Sequence, residues 1–192
     1  KARYITPAGE IGRSIFVYNP ATKAWNYFDK EGNRVTGRQY IDGHLYYFKE
    51  DGSQAKGEII EENGIKYYYE PESGILASGR YLQVGDDQWM YFKQDGSLAI
   101  GQVRADHGYL KYFDKNGIQV KGKTVVEDGK TYYYDAHSGA LVTSSFAEIA
   151  PNQWSYFNTE GQALKGRWTI NGKEYYFDQN GIQYKGKAVK VG

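Results

Sequence analysis

Three times in this chain a glutamine and a lysine stand two residues apart, shortly after a turn glycine: Gln54 and Lys56, Gln119 and Lys121, Gln183 and Lys185. In an extended segment, residues two apart share a face. The amide both donates and accepts, and the ammonium donates three hydrogen bonds. Beside an exposed tyrosine ring, that set suits a neutral polyhydroxylated ligand. The ring packs on the C–H face of a sugar while the amide and ammonium take its hydroxyls. Either residue alone is ordinarily a solvated strand residue; three recurrences at one place in a longer repeat point to a ligand. The other repeats lack the full pattern, carrying Asn33 and Val35, Ile75 and Ala77, Leu98 and Ile100, Ala140 and Val142, or Gln162 and Leu164 shifted by one.

Catalytic chemistry finds little to work with. His44, His107 and His137 are far apart in or beside turn sequences, with no partner at metal-ligand spacing. Asp114-Lys115-Asn116-Gly117 and Asp178-Gln179-Asn180-Gly181 have the look of calcium-loop fragments, but no bidentate glutamate follows at the needed distance. No serine sits in a nucleophile-elbow motif. Most acidic residues are turn residues, so no carboxylate pair for glycoside hydrolysis can be located. The segment is therefore expected to be non-enzymatic, with no metal and no cofactor.

Composition narrows the class further. Twenty-four Lys and Arg against 23 Asp and Glu leave a net charge of +1, too little for a nucleic-acid or anionic-membrane surface. Cysteine is absent, and no apolar run is long enough to insert into a membrane. The 20 tyrosines and 24 glycines are the unusual feature. Aliphatic residues are too few for a layered core, so tyrosine must do much of the burying.

Those rings and glycines repeat. Pairs at 27–28, 47–48, 68–69, 91–92, 112–113, 133–134, 156–157 and 176–177 run into glycines 32, 52, 74, 96, 117, 139, 161 and 181, spaced by 20 to 22 residues. A half copy, Tyr4-Ile5-Thr6-Pro7-Ala8-Gly9, precedes them. Trp25, Trp89 and Trp154 recur 64 and 65 residues apart, as do the triple tyrosines 67–69 and 132–134. The chain thus reads as one repeat domain over 1–192: a partial hairpin 1–13, triplets 14–79 and 80–144, and an incomplete triplet 145–192. The aromatic pair, the Asp/Asn-rich turn closed by glycine, and the alternating exit suggest a two-stranded hairpin. Between Gly12 and Trp25 an added apolar run and Asn19-Pro20 suggest a larger first hairpin. Recurrent glycine leaves no credible helix. The expected fold is all-β, a β-solenoid of stacked two-stranded β-hairpins with about three hairpins per turn, each stabilised by its neighbours.

With those motifs on view, Tyr46-Tyr47-Phe48, Tyr112 to Gly117 and Tyr176 to Gly181 resemble the cell-wall/choline-binding repeat superfamily. The Gly-x-Gln-x-Lys-Gly continuation and the triple-tyrosine members are similar to the glucan-binding repeats of glucansucrases and streptococcal glucan-binding proteins. The resemblance implies a secreted, extracellular or cell-surface bacterial module that holds α-glucan such as dextran, or isomaltooligosaccharides, beside a catalytic domain in the same parent chain. It implies sugar pockets at Tyr47, Gln54, Lys56; at Tyr112, Gln119, Lys121; and at Tyr176, Gln183, Lys185. Tyr68 and Tyr133 are the alternative stacking rings. The third set lacks a complete triple-tyrosine hairpin after it. Choline is the rival ligand. Choline-binding repeats carry Gly-Trp before the aromatic strand, whereas this chain has Gly79-Arg80-Tyr81 and Gly166-Arg167-Trp168, and a lysine at each proposed site repels a quaternary ammonium. A spacer with no ligand is the third alternative.

Overall fold

Short Asp-Gly and Asn-Gly dipeptides, not the longer Asp-x-x-Gly turns, close half of the hairpins. Asp42-Gly43, Asn63-Gly64, Asp128-Gly129 and Asn171-Gly172 have positive φ at both residues. That pattern matches the natural twist of two strands joined by a two-residue loop. The computed structural model describes residues 1–190; Val191 and Gly192, the last two of the incomplete triplet, lie outside the described residues.

Sixteen strands form eight two-stranded antiparallel sheets among the described residues. The hairpins are β1 (Ile15–Asn19) with β2 (Ala24–Phe28), β3 (Gly37–Ile41) with β4 (His44–Phe48), and β5 (Glu58–Glu62) with β6 (Ile65–Tyr69). Next come β7 (Arg80–Gly85) with β8 (Gln88–Phe92), β9 (Gly101–Arg104) with β10 (Leu110–Phe113), and β11 (Lys123–Glu127) with β12 (Lys130–Tyr134). The series ends with β13 (Ser145–Ala150) and β14 (Gln153–Phe157), then β15 (Gly166–Ile170) and β16 (Lys173–Phe177). One 3₁₀ turn, Asp106–Gly108, interrupts the β structure. The first hairpin departs in part from what its sequence suggested: the added run forms β1 itself, of ordinary length, and the loop Pro20 to Lys23, longer than a two-residue turn, is shorter than Ala105 to Tyr109 between β9 and β10.

The expected hairpin is therefore corrected. The aromatic pair ends the second strand, and its partner is the segment before it. The exit run after the glycine makes only an isolated bridge, such as Phe113 to Gln119 or Phe48 to Gln54. An Asp-x-x-Gly turn reverses the chain, and the run beyond it is then needed elsewhere.

Elsewhere is the preceding hairpin. The Gln54 N–H donates to the Trp25 carbonyl at 2.8 Å, Leu76 to Leu45 at 2.9 Å, and Leu98 to Lys66 at 2.9 Å. Gln119 bonds Trp89 at 2.8 Å, Leu141 bonds Leu110 at 2.8 Å, Ala163 bonds Thr131 at 2.8 Å, and Gln183 bonds Trp154 at 2.7 Å. A single backbone bond thus fixes each exit run against the hairpin before it.

Aromatic rings make the core. The second ring of every pair is buried, from Phe28 at 6% exposed to Phe48, Phe92 and Phe113 at 0%. The first ring of one pair packs on the second ring of the next: Tyr27 on Phe48 at 6.4 Å, Tyr47 on Tyr69 at 5.8 Å, and Tyr68 on Phe92 at 5.8 Å. The same holds for Tyr91 on Phe113 at 6.0 Å, Tyr112 on Tyr134 at 5.5 Å, and Tyr133 on Phe157 at 6.0 Å. Each such pair adds about 0.5–1.5 kcal/mol beyond the area it buries. Because the contacts link successive repeats, the stack is stabilised mostly between neighbours.

Two compact units divide these hairpins: Lys1–Tyr81 with Phe92–Leu98, and Leu82–Tyr91 with Ala99–Gly192. Within each unit the hairpins stack as a β-solenoid, and the first unit holds a small aliphatic cluster of Val35 and Ile41 around Phe48.

Candidate functional site

Each Trp-type hairpin presents its tryptophan to the exit run of the hairpin that follows. Trp89 lies on β8 two residues before Tyr91, on the same side of the strand. Its carbonyl holds the Gln119 N–H, so the indole stands beside Gln119 and Lys121. Together they line a cleft of about 560 Å³, completed by Asp87, Asp114, Lys123 and His137.

A second cleft, of about 350 Å³, repeats the arrangement around Trp25, Gln54 and Lys56. Here Lys56 Nζ donates to the Glu72 carbonyl at 3.1 Å and lies 5.5 Å from the Trp25 ring centroid. Lys49 and Glu58, both in the lining, form an ion pair at 2.6 Å. Asp51 also lines it, and hydrogen bonds from the Ser53 hydroxyl and N–H hold its carboxyl below the ordinary range. At the third place Lys185 Nζ stands 5.1 Å from the Trp154 ring, and Gln183 is held by the Trp154 carbonyl.

The glutamines are packed, not free. Gln54 is 8% exposed and donates weakly to the Ser73 carbonyl at 3.4 Å. Gln119 has its Nε2 buried with no hydrogen-bond partner among the described residues. Both amides press on the turn of the triple-tyrosine hairpin. A Cβ at Gly74 or Gly139 would collide with the amide nitrogen of Gln54 or Gln119, and both glycines have positive φ. Positive φ is what favours glycine at these two turns, and a side chain there would also displace the glutamine amide.

The structure therefore brings Gln54 to Lys56, Gln119 to Lys121 and Gln183 to Lys185, but with tryptophan. The tyrosines assigned as stacking rings lie elsewhere. Tyr47 and Tyr112 pack on the buried rings of Tyr69 and Tyr134, and Tyr176 pairs with Tyr184 at 5.4 Å. Tyr68 and Tyr133, each 7% exposed, stack on Phe92 and Phe157 inside the core. None of these lines either Gln/Lys cleft. The correction is physical: the tyrosine sits at the inner end of its strand, over the next buried ring, and the tryptophan two residues earlier sits near the hairpin turn. A signal existed in the sequence. Trp25, Trp89 and Trp154 precede Gln54, Gln119 and Gln183 by 29, 30 and 29 residues.

Two buried tyrosyl hydroxyls mark a difference beneath the clefts. The Tyr69 hydroxyl donates to Glu62 at 2.8 Å, and Glu62 also takes a forked pair from Arg38, at 2.9 and 3.1 Å. Arg38 lies 4.3 Å from the Tyr67 ring centroid. Burial, and then the Glu62 carboxylate, push the Tyr69 hydroxyl well above the tyrosine range. At the equivalent place the Tyr134 hydroxyl accepts from Gln102 Nε2 at 3.0 Å, and burial pushes it up to about 12.

The chain is similar to known proteins. A family model described as a choline-binding repeat matches residues 20–51, 35–81, 106–146 and 164–192. Glucosyltransferase-S of Streptococcus mutans is 39% identical over 168 residues, which cover 86% of this chain and 11% of that protein. Glucosyltransferase-I of Streptococcus downei is 38% identical over 169 residues, covering 87% of this chain and 10% of that protein. The chain thus spans about a tenth of the length of these relatives. Among solved structures, CbpJ of Streptococcus pneumoniae TIGR4 superposes with a TM-score of 0.72 at 25% identity, over 84% of this chain and 56% of that one. The modular autolysin LytC of Streptococcus pneumoniae shares the fold, with a TM-score of 0.67 at 22% identity, over 96% of this chain and 42% of that one.

Proposed function

The chain belongs to the choline-binding repeat family, and from that premise we propose that it is a non-catalytic α-glucan-binding module. The observation that carries this reading is the Trp89 cleft, where Trp89, Lys121 and the Gln119 side chain, its amide nitrogen turned inward, line one opening. An indole packs on the C–H face of a pyranose, and the polar pair takes its hydroxyls. The relatives matched over most of this chain are named glucosyltransferases, which supports a polymer of glucose as the ligand. A place in a secreted or cell-surface parent that builds such a polymer belongs to the same proposal.

Choline is disfavoured by charge. The family name raises it, but Lys56 and Lys185 hold their ammonium groups over Trp25 and Trp154, where a quaternary ammonium would need to sit. A neutral sugar meets no such repulsion.

Each cleft is shallow, so binding of one or two glucose units is weak. Several clefts on one long polymer raise avidity by roughly 10² or more. The role is tethering: holding a polysaccharide near a synthesising domain or fixing cells to a glucan matrix.

Affinity electrophoresis in gels containing dextran tests this directly. The module is retarded, and soluble isomaltooligosaccharide restores its mobility. Migration that ignores both dextran and the competitor removes the proposal. Retention on choline-agarose with elution by choline selects the rival ligand, and indifference to either ligand selects a spacer.

A further inference from the structure

A third cleft, of about 350 Å³, lies around Trp168 and outside the Gln/Lys pattern. It is lined by Lys130 at the start of β12, by Asn158, Gln162 and Lys165 from the exit run after β14, and by Trp168 on β15. It is the same kind of step between hairpins as the Trp89 cleft, with Lys165 at the position of Lys121 and Asn158 at that of Asp114. The ring, however, comes from the opposite wall. In the Trp89 cleft it stands on the hairpin before the exit run; here it stands on the hairpin after it.

Three observations make this a built site. Trp168 is 47% exposed, yet its indole N–H donates to the Lys165 carbonyl at 2.7 Å, so the ring is held in a fixed orientation. No Asp or Glu is among the lining residues, whereas the Trp25 and Trp89 clefts include Asp51 and Glu58, and Asp87 and Asp114. Neither Lys130 nor Lys165 is in an ion pair among the described residues. The carboxylate across the ladder from Lys130 is Glu127, which lies near enough to the Tyr112 hydroxyl to raise its pKa and forms no ion pair with Lys130 among the described residues. Two ammonium groups outside any ion pair among the described residues, beside a fixed indole and two amides, favour a ligand with both a ring face and a negative charge.

We propose that the Trp168 cleft is a saccharide site of a second kind, taking a sugar that carries a carboxylate or a phosphate. The pyranose lies on the indole, Lys130 and Lys165 take the anionic group, and Asn158 and Gln162 reach the hydroxyls. The site stands apart from the neutral-glucan clefts and does not depend on them.

The indole N–H signals of the ¹⁵N-labelled chain test it, with the four tryptophans assigned by Trp→Phe variants. Trigalacturonate, glucose 6-phosphate and neutral isomaltotriose are titrated at low salt. The expected result is that one or both charged probes move the Trp168 signal, which separates a carboxylate from a phosphate preference, while isomaltotriose does not. The K130Q/K165Q pair should weaken that response at least tenfold with the Trp25, Trp89 and Trp154 signals in place. A Trp168 signal unmoved by either charged probe overturns the proposal, as does an equal response to isomaltotriose, or a K130Q/K165Q variant that binds as before. Failure of the neutral-glucan reading registers separately, as Trp25 and Trp89 signals that ignore isomaltotriose.

Discussion

The first and second triplets carry the same frame with opposite charges around it. Trp25, Gln54 and Lys56 match Trp89, Gln119 and Lys121, and the same backbone bond sets both. Around them Lys23 becomes Asp87, Lys49 becomes Asp114, Glu58 becomes Lys123, and Glu72 becomes His137. In the first triplet Lys49 and Glu58 close on one another; in the second the reversed residues, Asp114 and Lys123, form no ion pair among the described residues, and the cleft is larger. Beneath the clefts, the Arg38–Glu62–Tyr69 network of the first triplet gives way to Gln102 on Tyr134, and Glu127 turns to Tyr112 instead. The repeat therefore dictates ring, amide and ammonium, while the charges at the rim exchange freely. Rim charges are solvated, so reversing them costs little.

The largest effect that sharpens this comparison is alkaline unfolding. Tyrosine titrates near 10 in the unfolded chain, and Tyr134 titrates near 12 in the folded one. Below pH 10 both states keep the proton and the stabilisation is complete. Above it the unfolded state ionises first, and up to about 2 kcal/mol of stability, reduced by the partial solvation of the hydroxyl, drains away by the time Tyr134 itself ionises. Tyr69, beside a carboxylate, is the more resistant of the two. Urea unfolding at pH 9 and 11, with tyrosinate absorbance followed in Tyr69→Phe and Tyr134→Phe, should show Tyr134 ionising first. Simultaneous ionisation would erase this difference between the triplets.

Binding comes next. Trp89→Ala is expected to lower dextran affinity about tenfold or more, roughly 1.5–2 kcal/mol, through loss of the stacking face. Trp25→Ala should cost less, because its cleft is partly occupied by the Lys49–Glu58 pair. Equal losses in gel retardation would mean that cleft width decides nothing.

Opening the smaller cleft is a subtler test. Glu58→Gln breaks an exposed ion pair at a cost below about 1 kcal/mol in stability. Dextran affinity should rise a few-fold, and a Trp89→Ala background isolates that gain to the first triplet. An unchanged or lower affinity would show that the pair does not obstruct the cleft.

The smallest effect concerns the buried amide. Gln119→Leu removes a donor that has no partner, so thermal stability should hold or rise by up to about 1 kcal/mol, while retardation weakens. Gln54→Leu gives up the long bond to the Ser73 carbonyl and should be neutral to slightly destabilising. A clear stability loss in Gln119→Leu would mean that its amide is satisfied after all.

Much of the fold was legible because it is written in short-range terms. The 20- to 22-residue spacing of ring pairs and glycines marks a stack of hairpins, and the absence of a 3.6-residue apolar pattern argues against helices. The hairpin boundary departs from the sequence expectation for an equally local reason. The Asp114 to Gly117 turn is the more conspicuous, yet Asp-Gly, as at Asp128-Gly129, is the stronger hairpin signal. At the candidate site the Gln/Lys pairs were visible, since residues two apart must share a face. Their ring was not, because tyrosine and tryptophan on one strand share that face too, and only the placement of the next hairpin separates them.

Sequence alone determined the repeat, the all-β class, the aromatic core and the recurrence of glutamine with lysine, since each depends on spacing within one hairpin or its turn. Tertiary structure decided which ring meets those side chains, how wide each cleft is, and that Trp168 shares a cleft with Lys130 and Lys165. Those outcomes depend on a backbone bond about 30 residues long in sequence and on rim charges from three successive hairpins, and no local pattern encodes a distance between residues that far apart.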